Sequence, residues 1–221
     1  KLDSMDLTTN TSTTLQDGAD STVKNVAITA LADATIALTD LNKLENVTVA
    51  GAGSVTLTGA TKADINATGS TGDVTVEGTL DVAAAFTGGA GNDTITLGAS
   101  TKAHDMGAGA DTVKILEALG KGVSINGGAG IDTLEMTTDI AKNFRVGDAI
   151  TGFEILKLGG GTDTVDMDNF GAINHVIAGS GAATVKNIDS NGTIEFNAAG
   201  AAMTVTVKDA EKAGNASDIL N

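Results

Sequence analysis

Short apolar segments separated by small polar residues dominate the first third of the chain. Between Val23 and Val82, apolar triplets such as Val47-Thr48-Val49 and Val74-Thr75-Val76 recur, several of them eight to ten residues apart. That spacing accommodates a short strand and a turn, which is half a coil of a flattened β-helix. The antiparallel hairpins of a β-sandwich give the same spacing, so the pattern leaves both architectures open for this segment.

A longer repeat links two distant segments. Residues 43–51 align with residues 152–160, because each segment has Glu in front of alternating apolar positions and ends in a glycine-rich turn. After the turn, both resume a strand pattern, at Val55 and at Val165. We therefore expect the same structural unit on both sides of the central segment.

Helical patterning is scarce. Segments 113–119 and 140–150 carry charged and apolar residues at mixed spacing, and either is a candidate for a short helix that interrupts the strands. Segment 209–213 is a candidate for one more helical turn.

The composition favours a repetitive β-protein. No proline occurs in 221 residues, although proline averages about 5% of ordinary proteins, and it would remove hydrogen-bond donors from continuous strand ladders. Ala, Val, Ile and Leu supply nearly all apolar residues, with five Phe and no Tyr or Trp. Such side chains suit thin, repetitive sheets better than a core built on aromatic residues. Cysteine is absent, so outside the cell another cross-link would have to replace disulfides.

The charge balance narrows the partners. Twenty-eight acidic and thirteen basic residues give a formal charge of −15, which argues against nucleic acid or an anionic membrane as a partner. The excess acid favours hard divalent cations, which prefer carboxylate and carbonyl oxygen. Solubility of a secreted protein would explain the same excess, and composition alone leaves both explanations open.

The termini carry no targeting signal that we recognise. The chain opens without the apolar segment of a signal peptide, and no stretch approaches the roughly 20 apolar residues of a membrane span. It also lacks an initiator Met and stops abruptly. We expect it to be a fragment of a longer protein, so a missing signal carries little information.

The strongest feature is a repeated glycine-aspartate turn. Residues 88–96 and 127–135 fit the pattern G-G-x-G-x-D-x-U-x in full, where U is a large apolar residue. Residues 106–114 depart from it only at the first position, where Met106 replaces Gly, and residues 158–166 lack only the first Gly. A faint fifth copy begins at Gly214.

Each letter of this motif has a physical reason. Gly reaches backbone angles that let carbonyl oxygens point toward an ion, Asp supplies a hard anionic ligand, and the apolar residue begins a buried strand. Two nonapeptides make one coil, so Asp93 and Asp111, 18 residues apart, should stack about 4.8 Å apart and form the best-defined site. Asp132 follows after 21 residues and needs a three-residue insertion, whereas Asp163 follows after 31 and is expected outside the continuous ladder.

The opposite half of the coil departs from the motif. Lys102 stands where an aspartate would be required. We therefore predict one row of ions rather than two, with the Lys102 charge partly replacing an ion on the opposite side.

These turns resemble the calcium-binding repeats of the RTX (repeats-in-toxin) family of secreted bacterial proteins. The strict resemblance covers about residues 88–135, and the Thr/Ala/Val repeats without Cys or Pro look like the surface-layer (S-layer) members of that family. The resemblance implies an all-β fold, a right-handed parallel β-helix or calcium β-roll solenoid with few short helices. It also implies type I secretion and calcium ions held by turn carbonyls and aspartates.

The resemblance divides the chain and assigns ligands. It implies a Thr/Ala/Val-rich β-repeat region at 1–86, a calcium β-roll region with insertions at 87–166, and a β-rich continuation at 167–221. One Ca²⁺ would use Gly88, Ala90, Asp93, Gly107, Gly109 and Asp111. A second would use Met106, Ala108, Asp111, Gly128, Gly130 and Asp132, and the fourth turn would contribute Gly159, Gly161 and Asp163.

Enzymatic motifs are missing from the sequence. There is no H-E-x-x-H zinc motif and no G-x-S-x-G nucleophile elbow, and no G-K-[ST] follows the glycine-rich turns. We therefore expect no enzymatic activity from this chain.

The function implied by the resemblance is structural. We expect a calcium-dependent, self-assembling protein of the bacterial cell surface, extracellular, which folds on calcium binding after export. Its partners would be copies of itself in a lattice and a cell-surface polysaccharide bound through regions outside this fragment, with no nucleic acid and no membrane insertion. An adhesin or binding module, or the C-terminal RTX region of a secreted hydrolase, are the alternatives.

Overall fold

The chain forms a parallel β-solenoid. The structure is a computed structural model that describes residues 2–16, 21–144, 149–181, 183–189, 191–196 and 203–208. Successive strands alternate between two long sheets, and the pairings between described strands are parallel. Parallel pairing of strands separated by whole coils excludes the β-sandwich that the N-terminal pattern had left open and confirms the predicted solenoid.

One sheet holds the odd-numbered strands of the first coils. Its eight strands lie in the order in which the chain visits them. They are β1 (Ser4–Thr9), β3 (Asn25–Ala30), β5 (Asn46–Gly51), β7 (Asp64–Ser70), β9 (Phe86–Thr87), β11 (Ala103–Asp105), β13 (Ser124–Asn126) and β15 (Ala149–Thr151).

The second sheet holds the even-numbered strands and extends further along the chain. Its ten strands also follow chain order. They are β2 (Thr13–Thr14), β4 (Ala34–Ala37), β6 (Val55–Thr58), β8 (Val74–Leu80), β10 (Thr94–Leu97), β12 (Thr112–Ile115), β14 (Thr133–Met136), β16 (Ile155–Leu158), β18 (His175–Ala178) and β20 (Thr193–Phe196).

The core lies between the sheets and follows from the period-two pattern. In β3 the alternate residues Val26, Ile28 and Ala30 are buried while their neighbours are exposed. Successive strand side chains point to opposite faces, so this alternation places one apolar face of every strand inside. Phe86 is the largest of the fully buried side chains described.

A third sheet begins after β16. After β14 the chain forms the short helix α1 (Thr138–Ala141) before it enters β15. The next coil places Gly161 against Thr138 of α1, so that an added Cβ would overlap Thr138 Oγ1. From there a three-stranded sheet runs through β17 (Thr164–Asp166), β19 (Thr184–Ile188) and β21 (Thr204–Val207), with a 3₁₀ helix at Met167–Phe170.

Of the three predicted helices, one is wrong, one overlaps α1 at its start, and one lies outside the described residues. The prediction for 113–119 is wrong: Thr112–Ile115 is strand β12, because its alternating side chains enter the same core as those of β10 and β14. Segment 140–150 overlaps α1 only at its start, and residues 145–148 lie outside the described residues. The predicted turn at 209–213 also lies outside them. No helix among the described residues has the length and apolar character needed to cross a membrane.

Candidate metal centre at the glycine-aspartate turns

The three central glycine-aspartate turns stack on one another. Each connects a strand of the eight-stranded sheet to a strand of the ten-stranded sheet, and its aspartate directly precedes β10, β12 or β14. Thr94 pairs with Thr112 and Thr112 with Thr133, so Asp93, Asp111 and Asp132 occupy one register position in successive coils. The stacking predicted from the sequence spacing is therefore confirmed, including that across the longer coil before Asp132.

The aspartates form a ladder in which each carboxylate binds the backbone of the preceding coil. Val74 N donates to Asp93 Oδ1 (2.7 Å), Asp93 N to Asp111 Oδ1 (2.6 Å) and Asp111 N to Asp132 Oδ1 (2.8 Å). Each side chain thus satisfies a backbone N–H at the start of a strand, where a buried N–H without a partner would be costly. The carboxylates are held in line along the solenoid even before any cation is considered.

Two oxygens of this ladder lack a partner. The side chains of Asp93, Asp111 and Asp132 are at most 1% exposed. Asp93 Oδ2 accepts a hydrogen bond from Gly89 N (2.9 Å), whereas Asp111 Oδ2 and Asp132 Oδ2 are buried without a hydrogen-bond partner. Buried carboxylate oxygens normally have a partner or coordinate a metal. The donor set therefore fits a hard cation. The spacing ranked the Asp93–Asp111 pair first, but the Asp111–Asp132 pair has the greater need of a cation, because both of its Oδ2 atoms lack a partner.

The raised pKa values of the three ladder aspartates also favour a bound cation. Burial raises the pKa of Asp93 to about 6, although hydrogen bonds from Gly89 and Val74 oppose it. Burial also raises the pKa of Asp111 to about 7, and the charges of Asp93 and Asp132 add to this effect. The pKa of Asp132 is raised as well, by burial and by the nearby Glu154 charge. A raised pKa means that the ionised form of each carboxylate is disfavoured in the folded chain, and a bound cation would stabilise that form.

Glycine is required in these turns because adjacent coils approach closely. Gly107 has φ +93°, and a Cβ there would overlap the carbonyl oxygen of Gly89. Gly130 has φ +149°, and a Cβ there would overlap the carbonyl oxygen of Gly109. In these turns the carbonyl oxygens of one coil therefore lie close to the glycine Cα atoms of the next coil, and a side chain on those Cα atoms would not fit.

The other residues predicted from the first three turns lie in the same stacked backbones. Ala108 N donates to Gly89 O, and Ala129 N donates to Gly107 O, each at 2.9 Å. Met106 N donates to Asn126 O, and its side chain is fully buried, which explains why this turn accepts Met in place of Gly. The structure thus brings together the following predicted residues: Gly88, Ala90, Asp93, Met106, Gly107, Ala108, Gly109, Asp111, Gly128, Gly130 and Asp132.

The fourth predicted turn lies elsewhere. Gly159, Gly161 and Asp163 precede β17 of the three-stranded sheet, outside the aspartate ladder, as the spacing of Asp163 indicated. Lys142 Nζ lies 2.9 Å from Asp163 Oδ1 and 3.2 Å from Asp139 Oδ1. The pKa of Asp163 is lowered, first by its hydrogen bond with Asp139 and then by that with Lys142. The Lys142 ammonium group thus forms an ion pair with Asp163, the carboxylate that the motif would assign to calcium.

Glu154 continues the ladder, and the sequence reasoning did not include it. Asp132 N donates to Glu154 Oε2 at 2.8 Å, and Ile155 pairs with Thr133, so Glu154 lies beside Asp132. A signal was present in the sequence, because Gly152-Phe153-Glu154-Ile155-Leu156 has the spacing G-x-acid-x-U of the other turns. Reading Glu as equivalent to Asp would have found it.

The opposite side of the coil holds a different polar pair. Lys102 is exposed there, and its N–H donates to Ser100 Oγ at 3.2 Å. Ser100 Oγ lies 2.8 Å from His104 Nε2, and both side chains are buried. Burial lowers the pKa of His104 to about 4, so the ring is neutral at physiological pH.

The ladder does not resemble a cage of side-chain ligands. Among the described residues, no group of three or more His, Cys, Asp or Glu side chains is arranged to hold a metal ion. A cation at these turns would therefore have two carboxylates at most from adjacent coils and would take its remaining ligands from backbone carbonyls and water, a donor set that suits Ca²⁺.

Comparison with known proteins gave no relative: no family model, curated protein or solved structure matches the chain. The resemblance to RTX proteins therefore rests on the motif copies and their composition.

Proposed function

We propose that this chain is a calcium-dependent structural solenoid of the bacterial cell surface, similar in role to an S-layer protein. The observation that carries the proposal is the row of buried, stacked aspartates in which Asp111 Oδ2 and Asp132 Oδ2 have no partner. Ca²⁺ is the cation best suited to carboxylate and carbonyl ligands in a flexible backbone turn.

The mechanism follows from the cost of the charged row. Without a cation, folding must bury carboxylates beside one another, and their mutual repulsion and desolvation oppose it. Binding of Ca²⁺ only to the stacked turns adds its binding free energy to folding. At the low calcium of the cytoplasm the chain would remain unfolded and fit for export, and calcium outside the cell would drive folding.

The assembly part of the proposal rests on the resemblance. A lattice of copies on the cell surface is the arrangement expected of S-layer members, and a polysaccharide would bind through regions outside this chain. An adhesin or the C-terminal RTX region of a secreted hydrolase would use the same calcium mechanism and differ in the remainder of the polypeptide.

Calcium titration followed by circular dichroism tests the mechanism. We expect β-structure to appear with added Ca²⁺ and to be lost when a chelator removes it, since ion binding and folding are coupled. β-structure that does not respond to either treatment would sink the proposal. Electron microscopy of the calcium-loaded protein then separates the roles, because two-dimensional arrays support the surface-layer function and a dispersed monomer supports an adhesin or hydrolase region.

A further inference from the structure

The row of stacked turns ends in an unusual way after Asp132. Asn126 pairs with Thr151 and Thr133 pairs with Ile155, so Gly152 lies beside Gly127. Five residue steps lead from Gly127 to Asp132, but only two lead from Gly152 to Glu154. The last turn therefore lacks the three-residue glycine loop that would otherwise cover the turn before it.

Glu154 compensates for the shorter turn through its longer side chain. Its Oε2 accepts the hydrogen bond from Asp132 N at 2.8 Å, the same bond that an aspartate makes at each earlier step. Unlike Asp132, Glu154 is exposed, and Ile131 in the uncovered turn is 63% exposed. The ladder of carboxylates is therefore buried along its length and reaches solvent at Glu154.

Three groups that carry oxygen ligands border this open end. Asp132 Oδ2 is buried and has no hydrogen-bond partner. A Cβ on Gly127 would overlap the carbonyl oxygen of Gly152 and would lie 2.9 Å from Asp132 Cβ. A carboxylate oxygen in need of a partner, a backbone carbonyl and the Glu154 carboxylate thus border the same turn.

We propose that Glu154 and Asp132 hold a further divalent cation at the open end of the row. The inference rests on the proposed function, since it assigns a ligand and a site that the glycine-aspartate motif does not. Carboxylate and carbonyl oxygens select a hard cation such as Ca²⁺, and water would complete the shell because no loop covers the turn. This cation binds more weakly and exchanges faster than those held between two complete turns.

Counting bound ions in the variant E154Q tests the assignment. Glutamine keeps an oxygen that accepts the Asp132 N–H but removes the charge. Native mass spectrometry and calorimetric calcium titration of the whole chain should show one ion fewer, or a weakest site at least about tenfold weaker. E77Q is the matched control, since Glu77 is exposed on β8, away from the turns, and should bind as the original chain does.

A second variant and the unmodified chain keep the outcome decisive. E154D retains the charge but withdraws it by one methylene, so it should keep the ion count and weaken only the weakest site. Ion counts and affinities equal to those of the unmodified chain in both variants overturn the role of Glu154 and leave the proposed function intact. An unmodified chain that binds no Ca²⁺ overturns the proposed function, and this inference with it.

Discussion

Without divalent cations, the solenoid should lose stability as the pH rises from about 5 to 8. Burial raises the pKa of Asp93 and Asp111 in the folded chain to about 6 and about 7, from an ordinary value of 3.8. The folded state then keeps protons that the unfolded chain has released. Stability from these groups is fully present below the unfolded value and is lost as the pH rises through the folded values.

The magnitude follows from the same pKa values. One pKa unit corresponds to about 1.4 kcal/mol, so between the two values the loss accumulates at that rate for each pH unit. Ionisation of Asp111 alone should lower the free energy of unfolding by about 3 kcal/mol between pH 5 and 7. Asp93 should cost about 1.4 kcal/mol between pH 5 and 6, although the two effects share one repulsion and do not simply add. A loss of this size is a large fraction of the stability of an ordinary domain.

Circular dichroism and denaturant unfolding in metal-free buffer at pH values from about 5 to 8 measure this difference: the β-structure should be most stable near pH 5, where protons occupy the aspartates, and should weaken or be lost toward pH 8. If the aspartates bind Ca²⁺ as proposed, saturating Ca²⁺ should reverse the trend, because the cation would compete with protons for the same oxygens. The variant D111N keeps an oxygen for Asp93 N but cannot ionise, so it should remove most of the loss caused by the aspartates. Burial also lowers the pKa of His104 to about 4, from an ordinary 6.5, so its contribution to stability rises with pH between these values and opposes the loss in both chains. A difference in metal-free stability between the original chain and D111N that does not change between the two pH values would refute the burial of ionised aspartates as the cause.

Two further predictions concern packing. G130A should lower the free energy of unfolding by about 1–3 kcal/mol or more, because the added Cβ would overlap Gly109 O at a position with positive φ. Thermal melts measure the loss. G159A is the control: its Cβ would make only ordinary contacts, the shortest at 3.5 Å, so its melting temperature should remain near that of the original chain. L134A should lower the free energy of unfolding, measured with denaturant, by about 2–5 kcal/mol, since Leu134 is fully buried. L116A should lower it far less, because Leu116 is 46% exposed. Similar losses for the two variants would contradict the assigned core.

The strands and the stacking of the central turns were predictable because they depend on local chemistry. Alternating apolar residues place one face of each strand in the core, and β3 and the first four residues of β5 follow this pattern. The separation of 18 residues between Asp93 and Asp111 equals one coil, so the register followed from counting. Glycines at fixed positions and the absence of proline then favoured continuous ladders.

Similar local patterns did not determine which sheet a segment joins. Residues 43–51 and 152–160 share one pattern and both contain strands, but β5 belongs to the eight-stranded sheet and β16 to the ten-stranded sheet. Segment 113–119 has mixed spacing, yet its first residues are a strand because β10 and β14 flank them. Pairing partners, rather than the segment itself, decide such cases.

Glycine-aspartate turns recur with a coil period, and this spacing alone is enough to predict that Asp93, Asp111 and Asp132 come together. The distribution of hydrogen bonds over these carboxylates needed the three-dimensional structure: Gly89 N of the same turn donates to Asp93 Oδ2, whereas Asp111 Oδ2 and Asp132 Oδ2 are buried without a partner. The structure also placed Lys142 beside Asp163 and Glu154 above Asp132. The physical reason is that burial and pairing depend on the coil above and the coil below, whose residues are about 20 positions away in the chain.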